Sequence, residues 1–139
     1  MKIRLLSLLE GARRAAGTVV IIDVYRAFTT AAVALQRGAA RILLVDTPEA
    51  AFKLRCQGRG DLCLGEDSGI KVPGFDFGNS PLELSQAGVH GQTLIQSTSA
   101  GTKGVVTAGR TEVLFAPALA TQFECRLRGV DQQNARGPA

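Results

Sequence analysis

The sequence has no Trp, one Tyr and one His, and aromatics make up only 5% of its 139 residues. Any core must therefore be aliphatic and Ala-rich. No run combines basic residues with aromatics, which argues against a nucleic-acid partner. The lone His90 falls in a turn and reads as an exposed loop residue. Three cysteines, Cys56, Cys63 and Cys125, form no CxxC and have an odd count. That argues against a disulfide framework or a zinc site, leaving reduced thiols as the expectation. No apolar run approaches the roughly 20 residues of a membrane span, so no membrane partner is expected. The start, "MKIRLLSLLEGARRAAG", has Glu10 and Arg13-Arg14 in its apolar part and a helical period, unlike a signal peptide. A soluble, cytoplasmic protein is expected. Chemical motifs are also missing. There is no GxxxxGK[ST], no CxxxxxR around a cysteine, and no second Asp two residues after Asp23. P-loop, cysteine-phosphatase and DxD chemistry are thereby set aside.

What is present suits one compact domain, with 45% hydrophobic residues and a mild net charge of +4. Arg is spread along the chain; such a surface serves ordinary solubility and would also accept an anionic small substrate.

Hydrophobic patterning alternates between strand and helix. Residues 3–16 have the period of an amphipathic helix. "TVVIID" (18–23) is a β-branched run of the kind buried on both faces. "AFTTAAVALQRGA" reads as a helix closed by Gly38, and "RILLVD" (41–46) as a second buried strand. Thr47, Pro48 and Glu49 open the next helix, which ends near Gly58 and Gly60. "DLCLG" (61–65), "QTLIQS" (92–97) and "TEVLFA" (111–116) are three more strands. "SPLE" (80–83) is a capping box with Pro81 at N1, and "AGTKGVVTAG" a turn into a helix. After Pro117 a short helical pattern fades into a polar tail. The expected class is α/β, a three-layer αβα arrangement around a mostly parallel sheet of about five strands. One domain is expected over residues 1–120, with a divergent, frayed tail over 121–139.

This reading brings three polar clusters to the C-terminal edge of the sheet, where α/β proteins bind ligands. Asp23 ends the first strand, with Arg26, Thr29 and Thr30 beyond it. Glu66 follows the third, leading to Asp67, Lys71, Asp76 and Asn79. Ser97 ends the fourth, with Thr98, Ser99, Gly101 and Thr102 beyond. Asp23 lies in an apolar run, and a buried carboxylate is costly unless paired or bound to metal. Pairing with Arg26, capping of the next helix, and metal binding all remain open for it. The turn at 97–104 would suit an anion or be a plain strand–turn–helix. "GEDSGIKVPGFDFGNSPLEL" (65–84) is too rich in Gly and Pro to be one element. It also carries Phe75 and Phe77, which would anchor it beneath a site. Its rival reading is a structural loop whose Asp and Asn bond their own backbone.

The stretches "IDVYRAFTTAAVALQRGA", "GEDSGIKVPGFDFGNSPLE" and "STSAGTKG" resemble, in order and rough spacing, the motifs of the 2-phosphosulfolactate phosphatase family. The resemblance runs from about Val19 to Ala108. It implies a Mg²⁺-dependent phosphatase that converts 2-phospho-3-sulfolactate, or a similar phosphorylated hydroxy acid, to 3-sulfolactate and phosphate, a step toward coenzyme M. Asp23, Glu66 and Arg26 match the family's motifs by position, and a physical model of a working site takes them as catalytic, with metal ligand and base not separable by spacing. Thr29, Thr30, Lys71, Asn79, Ser80, Thr98, Gly101 and Thr102 would bind substrate, and Asp23, Glu66 and Asp76 would hold the metal. A small phosphorylated molecule is the implied partner, and a homo-oligomer is left open. Two departures stand out. The Asn of the family's third motif is Ala100 here, and family chains continue through a second α/β half. A truncated member is therefore expected, and the alternative function is an inactive one that only binds phosphorylated small molecules.

Overall fold

The computed structural model describes residues 2–23, 26–108, 113–115 and 126–127. The helical pattern expected after Pro117 and most of the expected frayed tail lie outside the described residues. In chain order the elements are α1 (Leu8–Arg13), β1 (Thr18–Val20), α2 (Ala27–Gln36), β2 (Arg41–Val45), α3 (Pro48–Cys56) and β3 (Leu62–Asp67). They continue with β4 (Ile70–Lys71), α4 (Pro81–Ser85), β5 (Thr93–Ser97), α5 (Gly101–Thr107), β6 (Val113–Phe115) and β7 (Arg126–Leu127).

Four strands form a sheet in the order β2-β5-β3-β4, and β1, β6 and β7 pair in that order. Strand β5 lies parallel to both β2 and β3, and β1 is parallel to β6; the short β4 and β7 are antiparallel. Side chains alternate across the four-stranded sheet, as the two-residue period of a strand requires. Ile42, Leu62, Leu64 and Leu94 face Ala34, Leu84 and Val89 on the side of α2 and α4. Leu43, Val45, Cys63 and Ile95 face Ala51, Phe52 and Leu54 of α3 on the other. Helices on both faces of a mostly parallel sheet give the expected α/β, αβα class. Leu64, Leu84, Leu94 and Ile95 are fully buried, each worth about 1.5–3 kcal/mol of transfer free energy.

Local signals explain where the helices start. The Thr47 hydroxyl accepts from the Ala50 amide at 3.2 Å, with Pro48 at N1, so α3 begins where its cap dictates. Ser80 caps α4 in the same way, accepting from Glu83 N at 3.3 Å. The capping box is half-made, because Glu83 reaches back to the Gly78 amide at 2.8 Å.

Two expectations are corrected. The first helix does not run over residues 3–16. Leu8 has a left-handed φ of 60°, and the preceding chain folds back so that Leu6 packs on Gly11. A Cβ on Gly11 would sit 2.9 Å from Leu6, so the helix cannot continue upstream along that face. Ile3, Leu5 and Leu8 are consequently exposed. The first strand, expected over residues 18–23 and buried on both faces, is limited to Thr18–Val20. Among the described residues β6 is its one strand neighbour, so β1 is an edge, with Val20 and Ile22 exposed.

The Gly/Pro-rich stretch closes the open side of β3. Glu66 and Asp67 pair with Lys71 and Ile70, and Leu64 bridges Phe77 further back along the strand. Phe75 is buried on the α3 side, edge-on to Phe52 with centroids 5.2 Å apart, while Phe77 packs on the α2/α4 side. The segment is thus anchored on both faces, and the edge of β3 is covered.

Candidate functional site

Because β3 and β5 are parallel neighbours, their C-terminal ends open onto the same edge. Gly65 brings the two backbones together there. Its φ is +139°, and a Cβ would collide with the Ser97 carbonyl. Only glycine allows this approach. The next residue, Glu66, reaches across to the turn after β5. Its Oε1 accepts from Ser99 N at 2.8 Å, and its Oε2 accepts from Ser99 Oγ at 3.1 Å and Gly69 N at 2.6 Å. Ser99 Oγ in turn accepts from Ser68 N at 2.7 Å. One carboxylate therefore fixes the β3–β4 hairpin to the β5 turn through charge-assisted hydrogen bonds.

The first cluster meets the same turn at Gly101. A Cβ on Gly101 would collide with Asp23 Oδ2 and lie 2.7 Å from Ala27 Cβ. Asp23, the start of α2 and the start of α5 are therefore in direct contact across Gly101. Arg26, the N-cap of α2, has φ 91° and an exposed side chain. A non-glycine residue at that φ stores strain of the kind that gathers at functional sites.

Thr98 and Thr102 close on each other. Thr98 N donates to Thr102 Oγ1 at 2.7 Å and Thr102 N donates to Thr98 Oγ1 at 3.1 Å, while Thr102 Oγ1 donates to the Thr98 carbonyl at 3.1 Å. Both are buried. Their hydroxyls shape the turn and are engaged within it.

The remaining candidates divide. Thr29 is half-buried. Thr30 and Asn79 are buried, and Thr30 Oγ1 and Asn79 Oδ1 have no hydrogen-bond partner. Ser80 is spent as the α4 cap. Lys71 Nζ donates to the Asp76 carbonyl at 2.7 Å and lies 3.9 Å from Glu83. Asp76 is not with Glu66. Its Oδ2 accepts from Cys63 N at 2.8 Å and from Arg55 Nη1 at 3.0 Å. Cys63 is three residues before Glu66, about 10 Å along an extended strand. Burial pushes the Cys63 thiol pKa up, with Arg55 partly offsetting it.

Among the described residues no group of three or more His, Cys, Asp or Glu could hold a metal ion. Carboxylates do reach this turn: Asp23 lies against Gly101, and Glu66 and Asp67 accept from Ser99 Oγ at 3.1 and 3.4 Å. Mg²⁺ commonly takes one or two carboxylates and completes its shell with phosphate oxygens and water. The hard oxygen donors present fit that lesser requirement. Sequence reasoning missed Gln96, a buried amide inside the apolar β5; the signal available was one polar residue in an otherwise aliphatic run.

Comparison with known proteins identifies the family. Residues 6–123 match the family described as 2-phosphosulpholactate phosphatase. A protein of Carboxydothermus hydrogenoformans named "Probable 2-phosphosulfolactate phosphatase" is 46% identical over 101 residues, covering 73% of this chain and 42% of its own. One of the same name from Deinococcus radiodurans is 44% identical over 91 residues, covering 66% and 38%. A third, from Thermus thermophilus, is 42% identical over 112 residues, covering 78% and 46%. The chain thus spans less than half the length of these curated relatives. No helix among the described residues is long and apolar enough to cross a membrane. The family match over most of the chain, together with the convergence of its three polar segments, places this protein in the 2-phosphosulfolactate phosphatase family.

Proposed function

We propose that this site hydrolyses the phosphate monoester of a small phosphorylated hydroxy acid, with 2-phospho-3-sulfolactate as the substrate suggested by the relatives' names. The observation that carries the reading is the contact of Asp23 and Glu66 with one turn, residues 97–101, Asp23 at Gly101 and Glu66 at Ser99. Asp23 would hold Mg²⁺ together with the substrate's own phosphate oxygens. Such an ion, when bound, would supply positive charge against the phosphate oxygens. Arg26, at the strained start of α2, binds the same oxygens and stabilises their negative charge. Water adds its oxygen to phosphorus, the ester P–O bond breaks, and the water's proton passes to the leaving alkoxide. Glu66 keeps the Ser99 turn in place; its carboxylate is engaged by three donors and supports the loop first and the water second. The Thr30 hydroxyl, buried and without a partner, would donate to an oxygen of the bound group. Mg²⁺ dependence, and a place in coenzyme M formation, belong to this reading.

One observation favours a second reading, a member that binds phosphorylated acids without cleaving them: Asp76 is drawn away to Arg55 and Cys63, and the Glu66 carboxylate is already engaged by three donors of the loops. Phosphate release from 2-phospho-3-sulfolactate and related phosphorylated hydroxy acids, with Mg²⁺ and with EDTA, separates the two. Release that needs Mg²⁺ and is lost in Asp23→Asn supports hydrolysis. Binding that ignores EDTA, with no release, supports the second reading.

A further inference from the structure

We infer that Gln96 is a positioning residue that hangs the start of α2 on the central strand and so holds the first polar cluster against the turn after β5; the activity arm of its test rests on the phosphatase reading above. Gln96 is completely buried in β5, in register with Leu44 of β2 and Leu64 of β3. Its neighbours on that face are aliphatic, so Leu would fit the pattern and carry no desolvation penalty. The amide is only half-paired. Nε2 donates to the Ala27 carbonyl at 2.9 Å, across 69 residues of sequence, while Oε1 has no partner. A buried polar atom left unpaired calls for an explanation beyond stability.

Position supplies one. Ala27 opens α2, directly after Arg26 with its φ of 91°. The Ala27 side chain is also what a Cβ on Gly101 would meet, at 2.7 Å. The Ala27 carbonyl already has a donor in the helix ladder, so the Gln96 hydrogen bond adds a tether that the carbonyl itself does not require. One helical turn on, Thr30 Oγ1 is likewise buried and unpaired. Gln96 thus connects the strand that carries the third polar cluster to the helix start that carries the first. The fold tolerates an unsatisfied oxygen to keep that link.

The test uses Gln96→Leu and Gln96→Met in the full chain. In ligand-free protein, amide hydrogen exchange of residues 30–32 should accelerate at least tenfold while the amides of α4 stay as in wild type. The unfolding temperature should not fall, because an unpaired buried oxygen has been removed. In the phosphate-release assay kcat should drop about tenfold or more with KM changed less than about threefold, since a misplaced Arg26 is felt as charge develops. Wild-type exchange at residues 30–32 in both variants overturns the inference, whatever the activity. A lowered unfolding temperature with exchange raised evenly through the core also overturns it, because Gln96 would then be ordinary packing. If wild-type protein releases no phosphate, the function reading falls and the exchange measurement alone decides the role of Gln96.

Discussion

Replacing Gly101 with Ala adds one methyl group at the point where three parts of the fold meet. That Cβ would collide with Asp23 Oδ2, lie 3.2 Å from Asp23 Cγ and sit 2.7 Å from Ala27 Cβ. The carboxylate can swing aside, but Ala27 Cβ is fixed to the backbone of α2 and cannot. Either α5 or the start of α2 must move by several tenths of an ångström. Overpacking of this kind costs about 1–3 kcal/mol. At about 4 °C per kcal/mol for a chain of this size, the unfolding temperature should fall by about 4–12 °C. The functional loss should exceed the stability loss. The displaced groups are Asp23 and the helix start behind Arg26, and misplacement by about 1 Å can cost on the order of 100-fold in rate. Gly88→Ala is the control, because a Cβ there meets nothing within 4 Å. Thermal unfolding and Mg²⁺-dependent phosphate release would be measured on both variants. A Gly101→Ala protein as stable and as active as Gly88→Ala refutes the claim that Asp23 packs against this turn.

Two further outcomes follow from the same structure. Asp76→Ala should lower stability by about 2–4 kcal/mol, because the Cys63 amide loses its side-chain acceptor and Arg55 loses a partly exposed partner. Denaturant unfolding reads the loss, while calorimetric titration should show Mg²⁺ affinity unchanged. A stable Asp76→Ala protein with weakened Mg²⁺ binding would return Asp76 to the metal. For the thiols, the pKa of Cys63 is raised by burial, so it stays protonated at pH 8, whereas Cys56 is exposed. Iodoacetamide followed by peptide mass mapping should find Cys56 modified and Cys63 untouched until denaturant is added; early labelling of Cys63 would contradict its burial.

How much of this was legible in the sequence depended on whether the signal was local. The Thr47-Pro48 start of α3 and the Ser80-Pro81 start of α4 are written in consecutive residues, and both appear where the cap chemistry puts them. Strands β2, β3 and β5 are short aliphatic runs that form the parallel part of the four-stranded sheet, β5 and β3 inside it and β2 at its outer side. Residues 3–16 misled because their helical period is genuine, yet Leu8 adopts a left-handed φ and Leu6 packs back on Gly11. Periodicity cannot register a backbone reversal. β1 misled because a β-branched run is the same whether its flank is covered or bare. The contacts of Glu66 and Asp23 with the turn after β5 lie at the C-terminal strand edge, where the alternation of strands and helices puts these clusters. The division of labour there was not legible, since nothing local distinguishes Glu66, which fixes Ser99, from Asp76, which turns back to Cys63 and Arg55. Thr98 and Thr102 are four residues apart, a spacing that suits a ligand cradle and a reciprocal hydrogen-bonded pair equally. Only their geometry shows the second.

A titration of ¹⁵N-labelled protein with inorganic phosphate in the presence of Mg²⁺ tests the gathering of the three segments most directly. Amides of Arg26 and Ala27, of Glu66 to Gly69, and of Ser97 to Gly101 should shift together and follow one saturation curve. Shifts confined to one of those segments, or segments saturating at different phosphate concentrations, would show that they do not form a single site.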